Sequence, residues 1–370
     1  MNIDKKSAYL GCLLGGAVGD ALGYPVEFMN EASIFNQFGR DGIRTLAQAG
    51  APAKISDDTQ MTLFAANGII CKILGAGLAP NCPYREWLAT QGDASHMDDP
   101  QEPKMWIYTD LRLHHCRAPG STCLTAIREH PDGGNMHEPI NDSKGCGTVM
   151  RAAPFGLSVM DNGYGDDSRV VTRWAARDAA LTHGHKTAWA ASESLANIIF
   201  HIVQYRKPYH VLQNMIDYGK YCGYGELTPQ LELAVKLALD RSVPDLDGIH
   251  TLGEGWVAEE ALAIAVFCAV RYQHDFAAAI RAAVNHTGDS DSTGAVCGNI
   301  LGAWLGVDAV RSAFDLDNLE LCDLIERIAE DLYAVVNERD FMAASDACWR
   351  FKKYSPYAES HPTEKGKETV

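Results

Sequence analysis

The sequence predicts an all-α protein, a compact orthogonal bundle of helices. Three observations carry that prediction. Apolar residues recur at helical spacing in several long segments. Two further segments are small-residue runs entered through Ser or Asp. No run of alternating residues is long enough for a sheet.

The elements follow in chain order. Residues 11–23 are small and apolar, interrupted by Asp20 and by Gly11, Gly15, Gly16, Gly19 and Gly23. The helix there breaks at Tyr24-Pro25 and delivers an acid, Glu27. Ser56 is a good N-cap for the segment that follows it, with Asp57 and Asp58 in the first turn. Residues 92–145 are rich in Asp, Pro, Gly and His, and read as loops around one helix at 121–129. Residues 142–151 form a glycine-bearing loop that enters an apolar segment. Thr182-His183-Gly184-His185 precedes a helix at 186–206, whose apolar face is Trp189, Leu195, Ile198, Ile199 and Ile202. Residues 257–273 are apolar almost all round, as in a central helix. Residues 275–285 and 320–336 are amphipathic. The organisation expected is one domain over 1–354, with 92–145 as a loop-rich insertion and 355–370 as a flexible polar tail.

Charge narrows the function. The 370 residues carry 48 acids against 32 bases, a net −16. Nucleic acid and anionic membrane surfaces are disfavoured, because the field has the wrong sign. A divalent cation or a basic protein partner is favoured. The N-terminus is not a secretory signal, and no stretch reaches the roughly 18 apolar residues a membrane span needs. Eleven cysteines without a CxxC pair read as reduced thiols in a cytoplasm. Cys116 and Cys123 near His114 and His115 fit no zinc-finger spacing.

Two acidic motifs carry the chemistry. Ser56-Asp57-Asp58-Thr59 and Gly288-Asp289-Ser290-Asp291-Ser292-Thr293-Gly294 each set two carboxylates and a hydroxyl at a helix N-terminus. Each alone reads as a helix cap, and the second fails as a calcium loop for want of a twelfth-position glutamate. Together they say more. If the two helices pack side by side, Asp57, Asp58, Asp289 and Asp291 share one crevice. Carboxylates that close require a cation to stay ionised. All-oxygen ligands suit Mg²⁺ or Mn²⁺. With Ser56 and Ser292 they suffice for two ions. The loop at Gly145, Gly147 and Thr148 can offer backbone N–H groups to a phosphate.

These residues resemble the ADP-ribosylglycohydrolases. The resemblance runs from GCLLGGAVGDALGYPVEF through SDDTQMTL, SKGCGTVMRAAPFGL, LTHGHKTAW and GWVAEEALAIAVFC to HTGDSDSTGAVCGNILGAWLG, over about residues 8–310. It implies an all-α fold with a dinuclear Mg²⁺ or Mn²⁺ centre. It implies cleavage of the bond between C1″ of ADP-ribose and a side chain or small molecule. By motif, Ser56, Asp57, Asp58, Asp289, Asp291 and Ser292 are the expected metal ligands. Glu27 falls where the family places an active-site glutamate. Gly145, Gly147, Thr148, Met150 and Arg151 are expected around the phosphates and ribose, with His183 near the diphosphate or second ribose. The form GDSDSTG looks more like the arginine-specific branch.

Two departures stand out. Many relatives carry an acidic Asp-x-Gly loop before the helix that starts near Ser121, whereas this chain has Arg117-Ala118-Pro119-Gly120. The stretch 93–118 is also long and polar, suited to a lid or a partner surface.

The expected activity is release of mono-ADP-ribose from a modified protein, at arginine first, with Asp58 or Glu27 taking the proton of water. A role against an ADP-ribosyltransferase toxin, with the transferase as a bound partner, is one setting for it. The alternatives are an ADP-ribose-binding or partner-binding relative with little catalysis, and a hydrolase of another ADP-ribosyl linkage.

Overall fold

Glycine spacing sets the centre of the fold. In the computed structural model, which describes residues 3–75, 78–95, 105–158, 168–205, 225–338 and 352–354, Lys5–Gly23 forms α1. Its glycines at 11, 15, 19 and 23 fall one helical turn apart and line a single stripe. The stripe faces Gly294, Gly298 and Gly302 of a second buried helix, Ser290–Leu305. The two run antiparallel with backbones in contact. A Cβ on Gly294 would lie 2.6 Å from the Gly19 carbonyl oxygen, and one on Gly23 would lie 2.6 Å from the Asp291 Cα. Only glycine permits this approach.

The remaining principal helices pack around that pair. They are α2 Asp57–Ile73, α3 Ser121–Glu129, α4 Ser168–Ala180, α5 Lys186–Tyr205, α6 Leu227–Leu239, α7 Ala258–Arg271 and α8 Phe276–Val284, ahead of α9, the Ser290–Leu305 helix, and α10 Cys322–Asn337. The described residues contain no β-strand, only two isolated bridges, so the all-α expectation holds. The helices expected at 121–129, 186–206, 257–273, 275–285 and 320–336 all form, within two residues of the expected limits. The apolar face of α5, including Leu195, Ile198, Ile199 and Ile202, is buried. The tail at 355–370 and residues 96–104 of the polar stretch lie outside the described residues.

The shared crevice was conditional on the helices of the two acidic motifs, α2 and α9, packing side by side. The main partner of α9 is instead α1. The N-termini of α2 and α9 still converge, because both abut the C-terminal end of α1. Asp20, in the last turn of α1, is fully buried there. Its carboxylate accepts the backbone N–H of Ser56 (2.9 Å) and of Thr59 (3.1 Å), and also the Thr59 hydroxyl. One acid on α1 therefore caps α2 and fixes where that helix begins.

Candidate active site

The site grows from three helix ends. At α1, Pro25 stops the helix in a 3₁₀ turn, Tyr24–Val26, and the chain turns Glu27 inward, 7% exposed. At α2, the Ser56 hydroxyl accepts the Asp58 N–H (3.2 Å), leaving Asp57 and Asp58 buried in the first turn. At α9, the Asp289 carboxylate accepts the Ser292 N–H and Asp291 follows in the first turn. Carboxylate oxygens of Glu27, Asp289 and Asp291 all lie within 4.8 Å of one another. Asp57 and Asp58 lie close enough to perturb this group, and the Ser56 hydroxyl bonds Asp291. Ser292 is buried beside them. The residues of both acidic motifs thus meet, together with Glu27.

Their electrostatics are those of crowded, desolvated acids. Burial, then the charges of Asp291 and Asp289, push the Glu27 carboxyl up to about 10. Burial and Asp291 push Asp20 up to about 7. Asp57, Asp58 and Asp291 are all raised well above the carboxylate range, burial being the main cause in each. Among the described residues, Glu27 Oε2 and Asp58 Oδ2 are buried with no hydrogen-bond partner. A buried oxygen left without a donor costs about 1–3 kcal/mol. A hard divalent cation removes both penalties at once: it satisfies the free oxygens and reverses the repulsion. The donor set, carboxylate and hydroxyl oxygens only, fits such an ion.

The loop at 117–120 wraps Asp57. The Arg117 carbonyl accepts the Asp57 N–H (3.0 Å), and the Gly120 N–H donates to the Asp57 carboxylate (3.2 Å). Ala118 takes a left-handed φ of 53° to make this turn. The Arg117 guanidinium pairs with Glu320 (3.0 Å). The absence of an acid here leaves the wrapping intact, since backbone groups perform it.

The glycine loop forms the other wall. Gly145 N–H donates to Ser143 Oγ (3.3 Å) and Cys146 N–H to the Trp256 carbonyl (3.1 Å). The turn Cys146–Thr148 follows, and the Cys146 thiol donates to Asp289 (2.7 Å), joining the two walls. Thr148 and Met150 are buried. Arg151 has no exposed surface. Its Nε bonds Asp178 (3.0 Å), one terminal nitrogen bonds the Gly147 carbonyl (2.9 Å), and the other bonds Thr182 Oγ1 (3.0 Å). The guanidinium also stacks on Tyr84, 4.2 Å from the ring centroid. Arg151 therefore holds the loop from beneath. His183 is 1% exposed and packs under Gly145 and Gly147, with its Nδ1 on Thr182 (2.9 Å). Burial, with Arg151 nearby, pushes its imidazole down to about 3, so it is neutral. A cavity of about 1130 Å³ is bordered by Met136, His137, Arg173, Arg177, Lys186 and Trp189; no residue of the acid group or of 145–151 lines it.

Sequence reasoning missed Asp20, Cys146 and the backbone groups of 117–120. For Asp20 a signal existed: a lone acid within a run of glycine and apolar residues has to be partnered when that run is buried. Nothing marked Cys146, whose contact with Asp289 joins residues far apart in the chain.

Fold and site define an all-helical protein with a buried carboxylate crevice built where three helix ends meet. The chain belongs to the ADP-ribosylglycohydrolase family, whose pattern it matches over residues 1–340. It is thus a hydrolase of ADP-ribose linkages. It is similar to ADP-ribosyl-[dinitrogen reductase] glycohydrolase of Rhodospirillum rubrum, 26% identical over 313 residues, 82% of this chain and 88% of the relative. An uncharacterized protein of Archaeoglobus fulgidus is 25% identical over 338 residues, 89% of this chain and 96% of that protein. A solved ADP-ribosylglycohydrolase-related protein complex shares the fold, with a TM-score of 0.60 at 24% identity, covering 90% of this chain and 99% of that one. Among the described residues, no helix is long and apolar enough to cross a membrane.

Proposed function

We propose that this protein releases mono-ADP-ribose from modified arginine side chains of proteins, with two Mg²⁺ or Mn²⁺ ions in the acidic crevice. The observation that carries the proposal is the buried acid group itself, with Glu27 Oε2 and Asp58 Oδ2 left without partners. Ser56, Asp57, Asp58, Asp289, Asp291 and Ser292 would hold the ions, with Glu27 at their edge. Such ions would supply Lewis acidity there, making water a better nucleophile at neutral pH.

The chain's own residues do the rest. The C1″–N bond breaks, its electron pair leaves with the guanidine, and a water oxygen bonds C1″. Asp58 or Glu27 accepts the proton that this water loses. Positive charge that develops on the ribose sits against the carboxylate wall. The loop from Gly145 to Thr148 lies along the diphosphate, stiffened from below by Arg151 and His183.

The missing acid at 117–120 favours arginine. A modified guanidinium is already cationic near neutral pH and departs as neutral guanidine without an added proton. A serine leaving group needs that proton.

The test sets arginine-modified protein beside serine-modified protein, with EDTA, with added Mg²⁺ or Mn²⁺, and with Asp291→Ala. Metal-dependent release from arginine alone, lost in the variant, is the expected result. Robust release from serine overturns the linkage. No release from either, by protein that still binds metal and ADP-ribose, overturns catalysis in favour of a binding role.

A further inference from the structure

Two exposed aromatic rings pair beside the acid group. Phe28 directly follows Glu27 and is 74% exposed, while Trp256 is 39% exposed. Their rings are close to parallel, 19° apart, with centroids separated by 6.0 Å. Their backbones are both anchored next to the acid group. Glu27, which precedes Phe28, belongs to it. Gly255, which precedes Trp256, packs against Asp289, and the Trp256 carbonyl takes the N–H of Cys146. The Trp256 indole N–H is held by Glu254 (3.2 Å), which fixes the ring. At that separation Trp256 overlaps only part of one face of Phe28, and the rest of the ring stays exposed.

Water is a poor environment for a phenyl ring, and a contact with Trp256 alone does not remove it from water. The surroundings say what completes the stack. The floor is carboxylate, which repels anions and attracts cations. The open wall is a flat π face, which favours a planar cation over a tetrahedral one. Guanidinium is planar, weakly hydrated and prone to stack on aromatic rings.

We propose that the free face of Phe28 stacks on the guanidinium of the departing arginine, with Trp256 as the positioning residue that holds Phe28 flat. The proposal rests on the arginine reading above and extends it to the residue that selects the leaving group. It places selection of the leaving group on aromatic faces rather than on an acid in the 117–120 loop.

The experiment compares wild type, Phe28→Ala and Phe28→Tyr on ADP-ribosylated agmatine, a small guanidine that excludes protein docking. It also measures binding of free ADP-ribose, which lacks the guanidine. Phe28 is exposed, so an unchanged melting temperature is expected and checks the fold. The expected result is a loss of about tenfold in kcat/KM for Phe28→Ala, with Phe28→Tyr within about twofold of wild type. Affinity for ADP-ribose stays within about twofold in both. Parallel losses in turnover and in ADP-ribose affinity overturn the proposal, because the ring then contacts the nucleotide half. Unchanged turnover overturns it as well. Failure of the arginine reading shows separately: wild type itself would then leave the agmatine adduct intact while cleaving a serine adduct.

Discussion

The two walls of the crevice are built on opposite electrostatic terms. The acid wall, Glu27, Asp57, Asp58, Asp289 and Asp291, holds like charges out of water and leaves buried oxygens without donors. On the loop wall, every nitrogen of Arg151 is bonded, and His183 is neutral and packed. The first wall is incomplete without a ligand, and the second is complete without one. Groups that act on a substrate have to give up internal partners, whereas groups that shape a loop keep them.

Asp291→Ala should break this contrast most sharply. It removes the acid that perturbs every other carboxylate of the group. ADP-ribose release should fall by about 10³-fold, roughly 4 kcal/mol of transition-state stabilisation. In EDTA the same variant should melt no lower than wild type, because it relieves repulsion. A large fall in melting temperature would show that the carboxylate is structural.

Arg151→Met should do the reverse. It removes the guanidinium from half-buried Asp178, which keeps the Tyr84 hydroxyl, and frees the Gly147 carbonyl, at a cost of about 3 kcal/mol in denaturant unfolding. The loss should persist whether or not metal is present. A neutral result would mean that the loop wall is not held from below.

Metal itself should stabilise the acid wall alone. At 100 times its dissociation constant, Mn²⁺ or Mg²⁺ should add about 2.7 kcal/mol of stability, reversed by EDTA. The increment should vanish in Asp291→Ala and survive in a loop-wall variant that still folds. Calorimetric melting curves with and without the ion give both outcomes.

How far the sequence disclosed these walls differs for the same reason. The acid motifs were readable because each is contiguous, and because four carboxylates near helix starts have few explanations. Glu27 was readable from the Pro25 break. The α1–α9 pairing was not, although Gly11, Gly15, Gly19 and Gly23 spell a stripe: a stripe shows that something approaches closely, not what. Asp20 was hidden with it, since its partners Ser56 and Thr59 lie on another helix. Arg151 and His183 were expected at the phosphates and ribose, but motif reading cannot tell a residue that faces ligand from one that faces Asp178 or Thr182. The helices at 186–206, 257–273, 275–285 and 320–336 were legible because periodicity survives without knowledge of partners, whereas Ser168–Ala180 and Leu227–Leu239 went unread. Gly19→Ala tests the unread pairing. Its methyl would press on the Gly294 backbone, costing about 2 kcal/mol by denaturant unfolding, and an unchanged midpoint would mean the helices can separate freely.

The smallest effect concerns His183 and the acid limb of the stability curve. In the fold its imidazole is pushed down to about 3, by burial first and by Arg151 second. In the unfolded chain it titrates near 6.5. Above about pH 6.5 both states are neutral and the histidine adds no pH dependence. As pH falls from 6.5 toward 3, the unfolded chain takes up a proton that the folded one refuses, so stability is lost. By pH 5.5 this amounts to about 1.4 kcal/mol. The carboxylates of the acid wall pull the other way, since their raised values favour the fold as they gain protons, so the wild-type curve alone is a sum of opposing slopes. The difference between wild type and His183→Gln isolates the histidine, because glutamine does not titrate. That difference should be flat above pH 6.5 and should shift by about 1.4 kcal/mol in favour of the variant by pH 5.5. A flat difference down to pH 5 would mean that His183 gains its proton in the fold, and that the loop wall has a charged, ligand-facing member after all.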